Sequence, residues 1–141
     1  MPNSSVKDVM LADPPCIAPH APVRAAAKMM CALNASFLVV RADAGDALGL
    51  ITDRDLTLLT ASGRDPAVTR VCEAMSPHVV FCRDSDDVED AAWLMERHEA
   101  RRLIVLDGER RVVGVLSVDD LARGMTPRLA GAVLRHTTSL V

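Results

Sequence analysis

The sequence predicts a mixed α/β fold of two pseudo-symmetric units. Each unit runs strand, helix, strand, strand, helix, and the two pack as one module. Three observations carry that prediction. First, the chain repeats itself: Val6-Lys7-Asp8-Val9-Met10 matches Val71-Cys72-Glu73-Ala74-Met75, and the offset of 65 positions then holds through loops as well as elements. Val23, Ala26, Ala27 and Met30 answer to Val88, Ala91, Ala92 and Met95, and Gly49, Asp55 and Leu56 answer to Gly114, Asp120 and Leu121. Second, each copy holds one stretch with apolar residues at i, i+3, i+4 and i+7, the helical period, and two short apolar runs joined by turn residues, the hairpin pattern. Third, the 141 residues suffice for one substantial core but not for two ordinary domains. Copies this short do not each bury a hydrophobic face alone, so two stacked copies sharing one core is the expectation.

Taken in order, copy one occupies residues 6–62, a linker 63–70, copy two 71–125, and a C-terminal helix and tail 126–141. The first strand of each copy is placed at Cys16-Ile17 and at Val79 to Cys82. The amphipathic helix follows. Pro22 suits its first turn in copy one, and Asp86 with Glu89 resembles a capping box in copy two. Phe37 to Val40 with Ala47 to Ile51, and Leu103 to Leu106 with Val112 to Leu116, form hairpins around Asp43-Ala44-Gly45-Asp46 and Asp107-Gly108-Glu109-Arg110. A second helix starts at Thr52 and at Ser117. Ser62-Gly63-Arg64-Asp65-Pro66 opens the linker with turn residues. Thr126-Pro127 marks a further helix start, with Leu129, Ala132 and Val133 as its apolar stripe and no counterpart in the repeat. That helix is expected to pack on the domain or a second subunit, the alternative being a docking helix for a partner protein.

Composition narrows the function classes. Sixteen basic against nineteen acidic residues leave a net charge of −3, without the basic excess of a nucleic-acid binder. Trp93, Phe37 and Phe81 are the only aromatics, too few for a base-stacking platform. Val, Leu, Ile, Met and Ala must build the core. No apolar run approaches the ~20 residues that span a bilayer, and the N-terminus has no secretory pattern, so a cytoplasmic protein with no membrane contact is expected. Cys16, Cys31, Cys72 and Cys82 show no C-x-x-C spacing and are read as reduced, small, buried side chains. His20, His78, His98 and His136 form no zinc pattern, so no metal site is expected. No nucleophile–base pair stands at usable spacing, so no catalytic residue is assigned and an enzyme is not expected.

The chemistry-bearing motif occurs twice: Gly49-Leu50-Ile51-Thr52-Asp53-Arg54-Asp55 and Gly114-Val115-Leu116-Ser117-Val118-Asp119-Asp120. Hydroxyl-x-x-carboxylate at a helix start is the pattern of a capping box. The same geometry suits a phosphate at the helix N-terminus, with the hydroxyl adding a hydrogen bond. A carboxylate one turn on can accept from both ribose hydroxyls. Asp55 and Asp120 are the candidates.

Two copies of Val-x-x-Val/Ala-Met, Val-x-x-Ala-Ala-x-x-Met and Gly-apolar-apolar-Thr/Ser-x-x-Asp-Leu, in register over roughly residues 6–125, resemble a tandem pair of cystathionine β-synthase (CBS) domains, a Bateman module. The resemblance implies a pseudo-twofold module that binds AMP, ADP, ATP or S-adenosylmethionine in a cleft between its units. It implies a sensor that needs no cofactor, pairs as a homodimer and signals to a partner protein. Carried over by position, Asp55 and Asp120 hold ribose hydroxyls, and Thr52 and Ser117 face phosphate. Cys16, Ile17, Phe81 and Cys82 line the adenine pocket. The family's basic residues before the second strand are Arg101 and Arg102 in copy two. Copy one has Ser36 and Phe37 there, and Arg54 is its nearest basic substitute, opposite Asp119 in copy two. The two sites are therefore expected to differ. The alternative expectation is a structural interaction subunit with degenerate sites.

Overall fold

The computed structural model describes residues 4–76 and 78–124, so the expected C-terminal helix from Thr126 lies outside the described residues. The first copy contains α1 (Val6–Val9), β1 (Leu11–Ala12), β2 (Cys16–Ile17), α2 (Val23–Leu33), β3 (Phe37–Arg41), β4 (Ala47–Thr52) and α3 (Asp53–Ser62). The second contains α4 (Val71–Ala74), β5 (Phe81–Arg83), α5 (Val88–His98), β6 (Arg102–Leu106), β7 (Val112–Ser117) and α6 (Val118–Gly124). The strand–helix–strand–strand–helix order thus holds in both.

Periodicity explains the elements. Helix α2 buries Val23, Ala26 and Met30, and α5 buries Val88, Ala91, Ala92 and Met95, the face the helical spacing marks. Each ends on a left-handed residue, Asn34 or Glu99, whose amide turns back to carbonyls of the last turn. The hairpins pair antiparallel, with Phe37 opposite Thr52 and Arg102 opposite Ser117. Strand β2 lies parallel to β3, and β5 parallel to β6, the crossover being the helix between them. The sheet orders are β2-β3-β4 and β1-β7-β6-β5.

Two compact bodies result: residues 15–79, and residues 4–14 together with 80–124. They do not follow the repeat boundaries, because the opening turn of each copy packs into the other copy. Val6 of α1 is fully buried in a cluster with Met95, Leu103 and Leu121. Val71 of α4 is fully buried in a cluster with Met30, Leu38 and Ile51. A borrowed turn thus completes the cluster of buried side chains within each body. The same segments supply helix caps. The first amide of α2 donates to the Thr69 carbonyl at 2.8 Å, and that of α5 to the Ser4 carbonyl at 3.0 Å.

Glycine is required where the borrowed segments cross the sheets. A Cβ on Gly49 would sit 2.5 Å from the Ser76 carbonyl oxygen, and one on Gly114 would sit 2.9 Å from that of Leu11 and against the Met10 side chain. Beyond the crossing, β1 pairs with β7 over Leu11–Val115 and Ala12–Gly114, and copy one has a Leu50–Ser76 bridge at the matching place among the described residues.

Three local expectations shift. The first strand of copy two runs Phe81–Arg83, so Val79 and Val80 precede it. Pro22 is the N-cap of α2 rather than a residue of its first turn. The Asp86–Glu89 box does not form. Asp87 is the N-cap, and Asp86 Oδ2 instead accepts the Arg83 amide at 2.9 Å, closing the turn before the helix.

Candidate functional site

Both hydroxyl-x-x-carboxylate motifs sit where a hairpin's second strand runs straight into a helix. Thr52 is extended, with φ −119° and ψ 166°, and serves as N-cap of α3. Its amide and hydroxyl both donate to Asp55 Oδ2, at 2.9 and 3.1 Å, while the Asp55 amide donates to Thr52 Oγ1 at 3.3 Å. In copy two the Ser117 amide donates to Asp120 Oδ2 at 2.9 Å, and the Asp120 amide to Ser117 Oγ at 3.1 Å. Each motif is a complete capping box.

In copy one the remaining first-turn amides are occupied too. The Asp53 amide donates to the Ser36 carbonyl at 2.9 Å, and the Arg54 amide to Asp53 Oδ1 at 2.9 Å. In copy two the Val118 amide donates to the Arg101 carbonyl at 3.1 Å. A phosphate at the start of α3 therefore meets side chains, not bare backbone donors. Asp55 Oδ1 stands outside the box and retains its acceptor capacity. Asp55 and Asp120 are both half-buried.

Strand alternation then sorts the candidate residues by face. In copy one Ile17, Leu38, Val40 and Ile51 point into the core cluster. Cys16, Phe37, Val39, Leu50 and Thr52 therefore share the opposite face. In copy two Cys82, Leu103, Val105 and Leu116 point into the core. Phe81, Arg102, Ile104, Val115 and Ser117 share the opposite face. The structure thus brings Cys16 to the same sheet face as Thr52, and Phe81 and Arg102 to the same face as Ser117. The Ile17 and Cys82 side chains belong to the cores. Arg102 is half-buried directly across the ladder from Ser117, and Phe37 holds the matching place across from Thr52. Arg54 and Arg101 are exposed beside the two helix starts.

Burial, with the charges of Asp86 and Asp84 adding to it, pushes the Cys82 thiol up to about 12, so it stays protonated and is no nucleophile. Among the described residues all four cysteines are free, and no group of three His, Cys, Asp or Glu side chains could hold a metal ion. No described helix is long and apolar enough to cross a membrane.

A second feature lies outside the motif. A depression of about 510 Å3 opens at the other end of the second sheet, lined by Phe81, Arg83, Asp107 and Arg110 among others. The signal in the sequence was there: at the matching positions copy one has Ala18 for Arg83 and Gly45 for Arg110.

Comparison with known proteins follows the same lines. The CBS domain family matches residues 6–61 and again residues 70–126. The CBS domain-containing protein YhcV of Bacillus subtilis is 37% identical over 135 residues, covering 94% of each chain. Among solved structures, the CBS domain pair of protein MJ0100 in complex with 5-methylthioadenosine and S-adenosyl-L-methionine superposes with a TM-score of 0.74 at 26% identity, covering 86% of this chain and 95% of that one. CBSX2 in complex with AMP superposes with a TM-score of 0.68 at 26% identity, covering 84% and 93%. With both copies matched and the fold in common, the chain belongs to the CBS domain family as a tandem CBS pair.

Proposed function

We propose that this protein is a non-catalytic regulatory module that binds an adenosine-containing ligand, a nucleotide or S-adenosylmethionine. In this reading it works in the cytoplasm as a homodimer and passes its ligand state to a partner protein. The carrying observation is a fixed carboxylate next to Thr52 or Ser117, at the accessible margin of the sheet face that bears Cys16 in copy one and Phe81 in copy two. The capping box holds Asp55 through Oδ2 alone, which leaves Oδ1 to accept from ribose hydroxyls. Asp120 has the matching place. Cys16 and Phe81 give the sheet face an apolar wall for a base. Arg101 and Arg102 in copy two, and Arg54 in copy one, meet the phosphates. The ligands in the similar structures, AMP, S-adenosyl-L-methionine and 5-methylthioadenosine, all carry the adenosine that this arrangement suits. Signalling then requires that the ligand bind two states of the module with different affinity.

The test is thermal unfolding against AMP, ADP, ATP, S-adenosylmethionine, NAD and GTP. A ligand at 100 times its dissociation constant stabilises the fold by about 2.7 kcal/mol. Asp120→Ala should weaken the active ligand by about 1–3 kcal/mol, the scale of hydrogen bonds to a charged group. An unchanged affinity in a folded variant removes Asp120 from the site.

A second reading is an interaction subunit with degenerate ligand sites. The occupied first-turn amides of α3, together with Phe37 in the place of a basic residue, favour it for copy one. It wins if none of the six compounds raises the melting temperature of nucleotide-free protein.

A further inference from the structure

The repeat supplies an internal control for the two hairpin turns. Both have the same backbone. In copy one the Gly45 amide donates to the Ala42 carbonyl and the Ala42 amide to the Asp46 carbonyl, both at 2.8 Å. In copy two the Arg110 amide donates to the Asp107 carbonyl at 3.0 Å and the Asp107 amide to the Arg111 carbonyl at 2.9 Å. The sheet register shifts at the same place, between Val40 and Arg41 and between Val105 and Leu106. This turn needs one left-handed residue, and glycine is its natural occupant. Copy one has Gly45 there at φ 99°; copy two has Arg110 at φ 65°. A side chain with a Cβ holds the position against its backbone preference.

That side chain lines the depression of about 510 Å3 at the carboxyl ends of the parallel strands β5 and β6, together with Arg83. Such strand ends are where α/β sheets seat ligands, and the volume is that of a small-molecule site. The matching depression of copy one measures about 330 Å3 and has Ala18 and Gly45 in place of the two arginines, while its own Arg41, at the place of Leu106, is turned to the Gly45 carbonyl, to which Nε donates at 3.1 Å. The carboxylates at the copy-two site are already engaged. Asp86 Oδ2 takes the Arg83 amide, and Asp107 takes the Glu109 and Arg111 amides and Arg111 Nε at 2.8–2.9 Å. Neither the Arg83 nor the Arg110 guanidinium is in an ion pair among the described residues.

We propose that Arg83 and Arg110 form a binding site for a small phosphate-bearing anion at this end of the second sheet. Two guanidinium forks suit phosphate oxygens. The site is separate from the Ser117–Asp120 motif. Ser117 pairs with Arg102 at the start of β6, and the depression opens at Leu106, about 13 Å away at 3.3 Å per strand residue.

Inorganic pyrophosphate at constant ionic strength is the probe, read by thermal unfolding. The unmodified protein should gain about 5–10 °C at 100 times the dissociation constant. Arg83→Ala should weaken pyrophosphate at least about tenfold and leave the probe-free melting temperature nearly unchanged. Arg110→Gly should abolish the gain yet raise the probe-free melting temperature by roughly 2–5 °C, because glycine relieves the left-handed turn. Arg102→Ala should keep the pyrophosphate gain, which separates this site from the phosphate end of the adenosine site. The proposal is overturned by no gain in the unmodified protein, or by a gain that survives in either arginine variant. A probe-free melting temperature that falls in Arg110→Gly also overturns it, since Arg110 would then serve the fold.

Discussion

The body built from residues 15–79 and the body built from residues 4–14 and 80–124 share one backbone plan and differ in surface chemistry. Where the plan constrains a position, the two agree. Leu38 and Leu103 are fully buried, Gly49 and Gly114 lie under a crossing segment, and Thr52 and Ser117 cap the helices. Where the plan leaves freedom, they diverge. Phe37 answers to Arg102, Ala42 to Asp107, Arg54 to Asp119, Gly45 to Arg110 and, in the other direction, Arg41 to Leu106. The difference separates architecture from surface chemistry within one molecule: shared residues hold the fold, and unshared ones set the charge around each matched site. Charge is placed differently in the two copies, with Arg83, Arg102 and Arg110 in copy two and Arg41 and Arg54 in copy one.

Paired substitutions at matched positions test that separation. Leu38→Ala and Leu103→Ala should each cost about 2–5 kcal/mol in denaturant unfolding, the range for a buried leucine. A much smaller cost on one side would mean that the two clusters are not equivalent. Gly49→Ala and Gly114→Ala should each cost about 1–3 kcal/mol by overpacking. Gly49 should be the worse, because its added Cβ meets a carbonyl oxygen at 2.5 Å while Gly114 mostly presses on the Met10 side chain. Thr52→Ala and Ser117→Ala should each cost about 1 kcal/mol, the value of a helix cap. The smallest effect is a pH dependence that only copy two has. The Arg111 amide, helped by the Glu109 amide and the Arg111 side chain, holds the Asp107 carboxyl below its ordinary value. Its contribution is complete above the unfolded carboxyl range and is lost as pH falls through the lower folded value. Asp107→Asn should flatten the acid limb of the stability–pH curve, and changes at Ala42 should leave it as it is.

The helical stripe of α2 and α5, the hairpins and the two capping boxes were legible because each depends on neighbours a few residues apart. The exchanged segments were not. Nothing local in Val6–Met10 says that Val6 belongs with Leu103, or that Ser4 supplies the cap which Asp86 seemed placed to give. Those contacts join residues far apart in the chain, and only the repeat hints that the same arrangement occurs twice. The candidate site was half legible. Spacing located Thr52, Asp55, Ser117 and Asp120, but which of Cys16 and Ile17, or Phe81 and Cys82, faces the core depends on strand register, which a two-residue apolar stretch does not specify.

The exchange also sets an order of assembly during synthesis. Residues 15–79 are contiguous, so that body has all of its parts once position 79 has left the ribosome. The other body includes Leu11 and Ala12, whose partners Val115 and Gly114 are made only after the contiguous body. Closing so long a loop costs entropy before any contact repays it. The leading segment therefore waits, unpaired, through most of translation, and its short two-residue strand keeps that exposed edge small. A nascent chain stalled before Val112 would carry one finished body and one open one, so the second body waits for its own last hairpin strand before its first can pair.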